Sequence, residues 1–236
     1  GKADILITGG KIYAENHARI TAAKDGINHT VGGVAIGSGS TFHSSGSDGT
    51  VTITGGEVEA YGAYGNGIGG GNSSSYAGGG ATINITGGTV KANSIGGGNS
   101  AKGAGGDATI TIDNDANVRL TKEGTDCDFC GIGGGNSLSG NGGKATITVK
   151  SGTINSDGSI GGGEGGGSGN GGDATVNIYG GNLTAASIGG GTGSVGGHGG
   201  AAIVEVTDGF IETGSIGGGK TNNPDGKLGY AKANIS

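Results

Sequence analysis

Isoleucine followed by three glycines recurs at Ile68, Ile95, Ile132, Ile160, Ile188 and Ile216, with a divergent copy, AIGSGS, at Ile36. The last three intervals are 28 residues each. A fixed period in this range is the mark of a solenoid, in which each repeat is one supersecondary unit stacked on its neighbours. One unit, residues 173–200, reads DATVNIYGGNLTAASIGGGTGSVGGHGG. It holds an alternating strand, a Gly-Gly turn, a second strand ending at IGGG, and a Gly/Ser loop that returns to the next strand. No segment carries the i, i+3, i+4 apolar pattern of an amphipathic helix.

Stacking the units places like residues over like. The first strand of each unit supplies one inward column, Ile5, Val51, Ile83, Ile110, Ile147, Val176 and Val204, and a second, Ile7, Ile53, Ile85, Ile112, Val149, Ile178 and Val206. The strand after the turn supplies a third: Ile12, Val58, Val90, Val118, Ile154, Leu183 and Ile211. With the IGGG isoleucines these make a continuous narrow core, and the alternation with polar residues marks half-buried strands rather than a flexible glycine linker. The expected fold is all-β, a right-handed parallel β-helix (β-solenoid) of about 28 residues per coil and seven to eight coils, in one domain spanning residues 1–236. At ~4.8 Å between stacked strands, the rod is about 35 Å long.

Glycine makes up 65 of the 236 residues against a single proline, which excludes collagen, since collagen needs glycine at every third position and abundant proline. Each glycine in a strand costs roughly 0.5–1 kcal/mol relative to alanine, so three per coil must meet a geometric need. We expect the isoleucine to plug the core while the glycines let backbones stack closely at a corner. A dinucleotide-loop or P-loop reading fails because no helix follows. Asn72, Asn99 and Asn136 each follow an IGGG directly and precede a serine, and a stacked structural ladder is expected of them.

The formal net charge of −6 offers no basic field to hold a nucleic acid, and no apolar run approaches the ~18 residues of a membrane span. Nucleic acid and membrane insertion are therefore not expected. The first and last residues, GKADILITGG and YAKANIS, fall inside repeats, as expected of a piece of a larger surface protein.

Few residues carry candidate chemistry. Cys127 and Cys130 form one C-x-x-C, CDFC, within an insertion that lengthens one IGGG interval to 37 residues. A small disulfide is favoured there over two free thiols or a redox or metal pair, because a second pair and a β-α-β context are both missing. His17, His29, His43 and His198 fall in loops without metal-ligand spacing. Asp107 and Asp173 share a register where a loop enters its strand, Lys144 holds that position in the coil between, and Glu164 follows an IGGG. Asp107, Glu164 and Asp173 are the candidate calcium ligands, with solvated edge residues as the alternative. Outward Thr50, Thr82, Thr109, Thr146 and Thr175 form a regular column that suits an exposed strand and also an ice-ordering face, but the neighbouring column is not uniform. Tyr61, Tyr64 and Tyr76 bracket one IGGG corner and are the candidate ligand-binding residues, able to stack on sugar faces or anchor a protein partner; packing on their own glycines is the alternative.

The alternation ITGGTVKA followed by IGGG resembles the glycine-rich GIGGG repeats of large secreted or wall-anchored proteins of Gram-positive gut bacteria. More loosely, these strands are similar to bacterial β-helical carbohydrate-binding domains that bear calcium and are related in shape to pectate lyases. The resemblance implies an extracellular, secreted or wall-attached module without enzymatic activity, an adhesin that binds a glycan or host glycoprotein, with no cofactor other than calcium. The alternatives are a polysaccharide lyase or hydrolase and a passive stalk.

Overall fold

A computed structural model describes residues 1–17, 19–24, 27–63, 65–121 and 131–236, with side chains described outside 18–31. The alternating segments form three parallel sheets that wind as one solenoid of about seven turns and roughly 29 residues per coil, and no helix occurs among the described residues. The first sheet stacks eight strands, from Ala3–Ile7 and Gly49–Ile53 to Ala202–Val206 and Ala231–Ile235. The second stacks seven, from Lys11–Asn16 to Phe210–Thr213. The third stacks the seven short strands that begin the glycine motif, from Ile36–Gly37 to Ile216–Gly217. An antiparallel hairpin, Arg19–Lys24 with Ile27–Gly32, is inserted in the first coil.

The expected columns coincide with the observed register. Ile83 pairs with Ile110, Ile110 with Ile147 and Ile147 with Val176 in the first sheet, while Val90 pairs with Val118 and Val118 with Ile154 in the second. Val51, Ile53, Ile83, Ile85, Val90, Ile147, Ile160 and Val176 are wholly inaccessible. Each such side chain contributes roughly 1.5–3 kcal/mol of apolar burial, which favours one register because a slip by one residue would turn every one of them outward. Burial fades at the C-terminal end, where Ile211 and Ile216 are half-buried and Ala231–Ile235 is exposed throughout.

The glycines form a backbone seam rather than a simple corner. The third glycine of each IGGG alternates with the glycine that precedes the next coil's entry residue, in the order Gly71, Gly79, Gly98, Gly106, Gly135, Gly143, Gly163, Gly172, Gly191, Gly200, Gly219 and Gly229. From Gly79 onward each N–H donates to the carbonyl of the glycine before it in this series, at 2.8–2.9 Å. The returning loop thus lies directly against the exit of the third sheet, and no side chain fits between them. A Cβ on Gly135 would overlap the Gly98 carbonyl oxygen, and one on Gly143 that of Gly106.

Between the first and second sheets the turn needs left-handed backbone. Gly152 (φ 103°) and Gly181 (φ 95°) supply it in two coils, whereas the Asp113–Ala116 turn supplies it with Asn114 (φ 50°) and Asp115 (φ 56°). Asn and Asp tolerate this region better than other side chains do. Asp113 anchors that turn: its Oδ1 accepts the Asn114 N–H at 2.8 Å, and Lys150 Nζ lies 3.4 Å from its Oδ2. The Asn114 N–H, aided by Lys150 and Ser151, holds the Asp113 carboxyl below the usual carboxylate range.

Gly135→Ala should destabilise the protein by about 3 kcal/mol or more in urea unfolding, because the obstructing atom is backbone and cannot rotate away. Gly9→Ala, where a Cβ meets nothing within 4 Å, should change stability by less than about 0.5 kcal/mol. For Asp113, a depressed folded-state pKa means stability that is present above its unfolded pKa of about 3.9 and lost as pH falls through the lower folded value. Asp113→Asn should therefore flatten the acid limb of stability below about pH 4, read from urea midpoints across that range.

Candidate functional site

The outer face of the second sheet carries the one aromatic pair among the described tyrosines. Strand Lys11–Asn16 lies beside Glu57–Gly62, with Tyr13 opposite Glu59 and Glu15 opposite Tyr61. Because alternate residues of a strand share a face, Lys11, Tyr13 and Glu15 project outward next to Glu57, Glu59 and Tyr61. Tyr13 and Tyr61 are diagonal neighbours, with ring centroids 6.3 Å apart and planes tilted by 53°, within the range of a favourable aromatic contact.

Carboxylates frame the two rings. The Tyr13 hydroxyl donates to Glu15 Oε2 at 2.7 Å, and His17 Nε2 lies 2.8 Å from Glu15 Oε1. Lys91 Nζ donates to Glu59 Oε1 at 3.0 Å, and Lys11 Nζ lies 3.3 Å from Glu57 Oε2. The hydrogen bond to Glu15 raises the Tyr13 phenol above its ordinary value, and the bond to Glu59 does the same for the Lys91 ammonium. At neutral pH the Tyr13 phenol therefore keeps its proton and donates it to Glu15. Exposed rings can cover the apolar face of a sugar, and carboxylates are strong acceptors for hydroxyl donors.

Tyr13 escapes a sequence reading that follows only the inward columns. The signal is present nonetheless, since the register that aligns Ile12 with Val58 also brings Tyr13 beside Tyr61. Tyr76 is not part of this pair: it sits exposed in the loop after the Asn72-Ser73 step, where its backbone N–H donates to Ser73 Oγ at 3.0 Å. Tyr64, Cys127 and Cys130 lie outside the described residues.

The candidate calcium ligands are placed apart. Asp107 Oδ1 accepts the Lys144 N–H at 2.8 Å and Asp173 Oδ1 accepts the Ala201 N–H at 3.0 Å, each bonding the equivalent residue one coil on; Asp48 does the same for Gly80 at 2.8 Å. Lys144 Nζ also lies 3.3 Å from Asp173 Oδ2. Glu164 stands on a separate column with the asparagines, and no group of three His, Cys, Asp or Glu side chains converges on a metal-sized centre among the described residues. The aspartates at strand entry thus act as caps on the next coil.

The asparagine ladder is real, with different chemistry from amide stacked on amide. Asn72 Oδ1 accepts the Asn99 N–H at 2.7 Å, Asn99 Oδ1 the Asn136 N–H at 2.9 Å, and Asn136 Oδ1 the Glu164 N–H at 2.6 Å. A third ladder runs through the glycine loop: Asn141 accepts from Asn170, Asn170 from His198, and His198 Nδ1 from the Lys227 N–H at 2.9 Å. His198 therefore serves as an acceptor in a column of asparagines. The outward threonines are also in register, Thr109 with Thr146 and Thr146 with Thr175, but the column ends at Ile203.

Residues 214–221, GSIGGGKT, have the spacing of a phosphate-binding P-loop. The fold denies that role. The segment is the last copy of the glycine motif, no helix follows it, and Thr221 Oγ1 already donates to the Gly197 carbonyl at 2.6 Å.

His198→Ala should lower stability by about 0.5–1.5 kcal/mol in urea unfolding by removing the acceptor of the Lys227 N–H, whereas His198→Asn should restore it, since asparagine fills the same column one and two coils earlier. Compared with known proteins, the chain matches no family model, no curated protein and no solved structure, so its function is read from its own geometry.

Proposed function

We propose that this chain is a non-enzymatic extracellular binding module of a bacterial surface protein, an adhesin that holds a glycan or glycoprotein against the outer face of its second sheet. The observation that carries the reading is the Tyr13–Tyr61 pair set among Glu15, Glu57 and Glu59 on a rigid, register-locked face. A solenoid suits this task, because its outward side chains repeat at the strand spacing and are held without loop ordering on binding. Lys11 and Lys91 balance two of the glutamates, leaving a mixed surface suited to neutral or weakly charged sugars.

The test is a glycan and glycoprotein array on the folded protein, with calcium and with chelator, followed by titration of the best binder against Tyr13→Ala, Tyr61→Ala and Tyr64→Ala. Loss of either paired ring should weaken binding by about tenfold or more, as truncation of an aromatic anchor does. Unchanged affinity in both would remove this face as the site. Release of oligosaccharide from a bound polymer would replace binding by catalysis, and a blank array would leave a spacer whose partner-binding parts lie elsewhere.

A further inference from the structure

A groove of about 280 Å³ runs along the third sheet across four coils, walled largely by glycine backbone. Its few side chains include Asn99, Asn136, Glu164 and Thr192, and Ser159 and Ser187, whose hydroxyls are 2.7 Å apart.

The asparagine ladder fails inside this groove. In each earlier coil the side-chain oxygen at this position accepts the N–H of its successor. Among the described residues the Glu164 carboxylate takes no hydrogen bond or ion pair, and the Thr192 N–H finds no acceptor. Glutamate is one methylene longer than the asparagine that fills this column in the three coils before it. Asn99 and Asn136 spend only their oxygens on the ladder, and among the described residues neither Nδ2 group has an acceptor. One groove thus collects an unpaired carboxylate, two unpaired amide donors and an unpaired backbone N–H. Glu164 is open to solvent yet crowded by backbone, and this crowding raises its carboxyl above the ordinary range. Local rules broken in an otherwise consistent repeat are where function is to be sought.

We infer that the groove is a second saccharide site, which takes a segment of neutral glycan whose hydroxyls donate to Glu164 and whose oxygens accept from Asn99, Asn136 and Thr192. The inference rests on the reading of the chain as a glycan-binding module and gives that module a site separate from the tyrosine face. Neutral sugars are specified because Asp157 also lines the groove and the chain carries a net charge of −6, so an acidic polymer is repelled.

Glu164→Asn separates the site from the ladder. It should raise Tm by about 2–4 °C by giving Thr192 its acceptor, while weakening saccharide binding by about tenfold. The probes are maltotriose, cellotriose and a β-1,3-linked glucotriose, with trigalacturonic acid as the acidic arm, titrated into the labelled protein and followed at each backbone amide. Saturable shifts at Asn136, Glu164 and Thr192 with a neutral probe, absent with the acidic one and retained in the Tyr13→Ala/Tyr61→Ala double variant, support the groove. Shifts confined to Tyr13 and Tyr61 overturn it while leaving the binding module intact. Shifts in the groove alone uphold it and remove the tyrosine face. Silence with every probe at millimolar concentration overturns it, as does Glu164→Asn that gains stability and binds undiminished. Binding abolished by chelator overturns direct recognition in favour of a bound cation.

Discussion

The structure depends on hydrogen bonds made from one coil to the next along the solenoid axis. Three parallel sheets supply most of them, but between the third sheet and the first the chain has no strand to offer. The glycine seam closes that gap, with Gly98, Gly106, Gly135 and Gly143 passing N–H to carbonyl as a sheet would. Each such group would otherwise be a buried, unpaired polar group, which costs about 1–3 kcal/mol. That requirement explains why so much glycine is tolerated despite its entropic cost. Two backbones must approach without side chains, and the Cβ overlap at the seam admits no other residue.

Side-chain ladders complete the same task where the backbone turns away from its neighbours. The entry aspartates, the asparagines after the glycine motif and the Asn141–Asn170–His198 series all place an acceptor under the N–H of the equivalent residue above. The buried polar residues follow the same logic: Asn93 takes the Gly62 N–H and donates to the carbonyls of Gly62 and Gly65, so that no buried side-chain polar atom among the described residues lacks a partner. What would read as scattered polar sites in the sequence is mostly structural cement. The places with chemistry to spare are those where this cement is missing or turned outward.

This distinction also explains how far the sequence could be read. The inward columns were legible because β-branched residues alternate with polar ones at a fixed period, and Ile83 over Ile110 over Ile147 follows from alignment alone. The carboxylates were not. Whether Asp107 faces a cation or a backbone N–H depends on where the next coil's amide falls, a distance that the period does not encode. The tyrosines illustrate the same limit from the other side. Tyr61 was visible as a surface aromatic, but its partner Tyr13 lies 48 residues earlier and is found only when the register is applied to outward positions.

The side-chain ladders share a direction. Asn72, Asn99, Asn136, Asp107, Asp173 and Asn170 all hold their acceptor for a residue that comes later in the chain. Along these ladders a coil already in place presents a finished row of acceptors to the coil that follows. The solenoid is built with a grain, and assembly that proceeds from the N-terminal end, in the order of synthesis, runs along it.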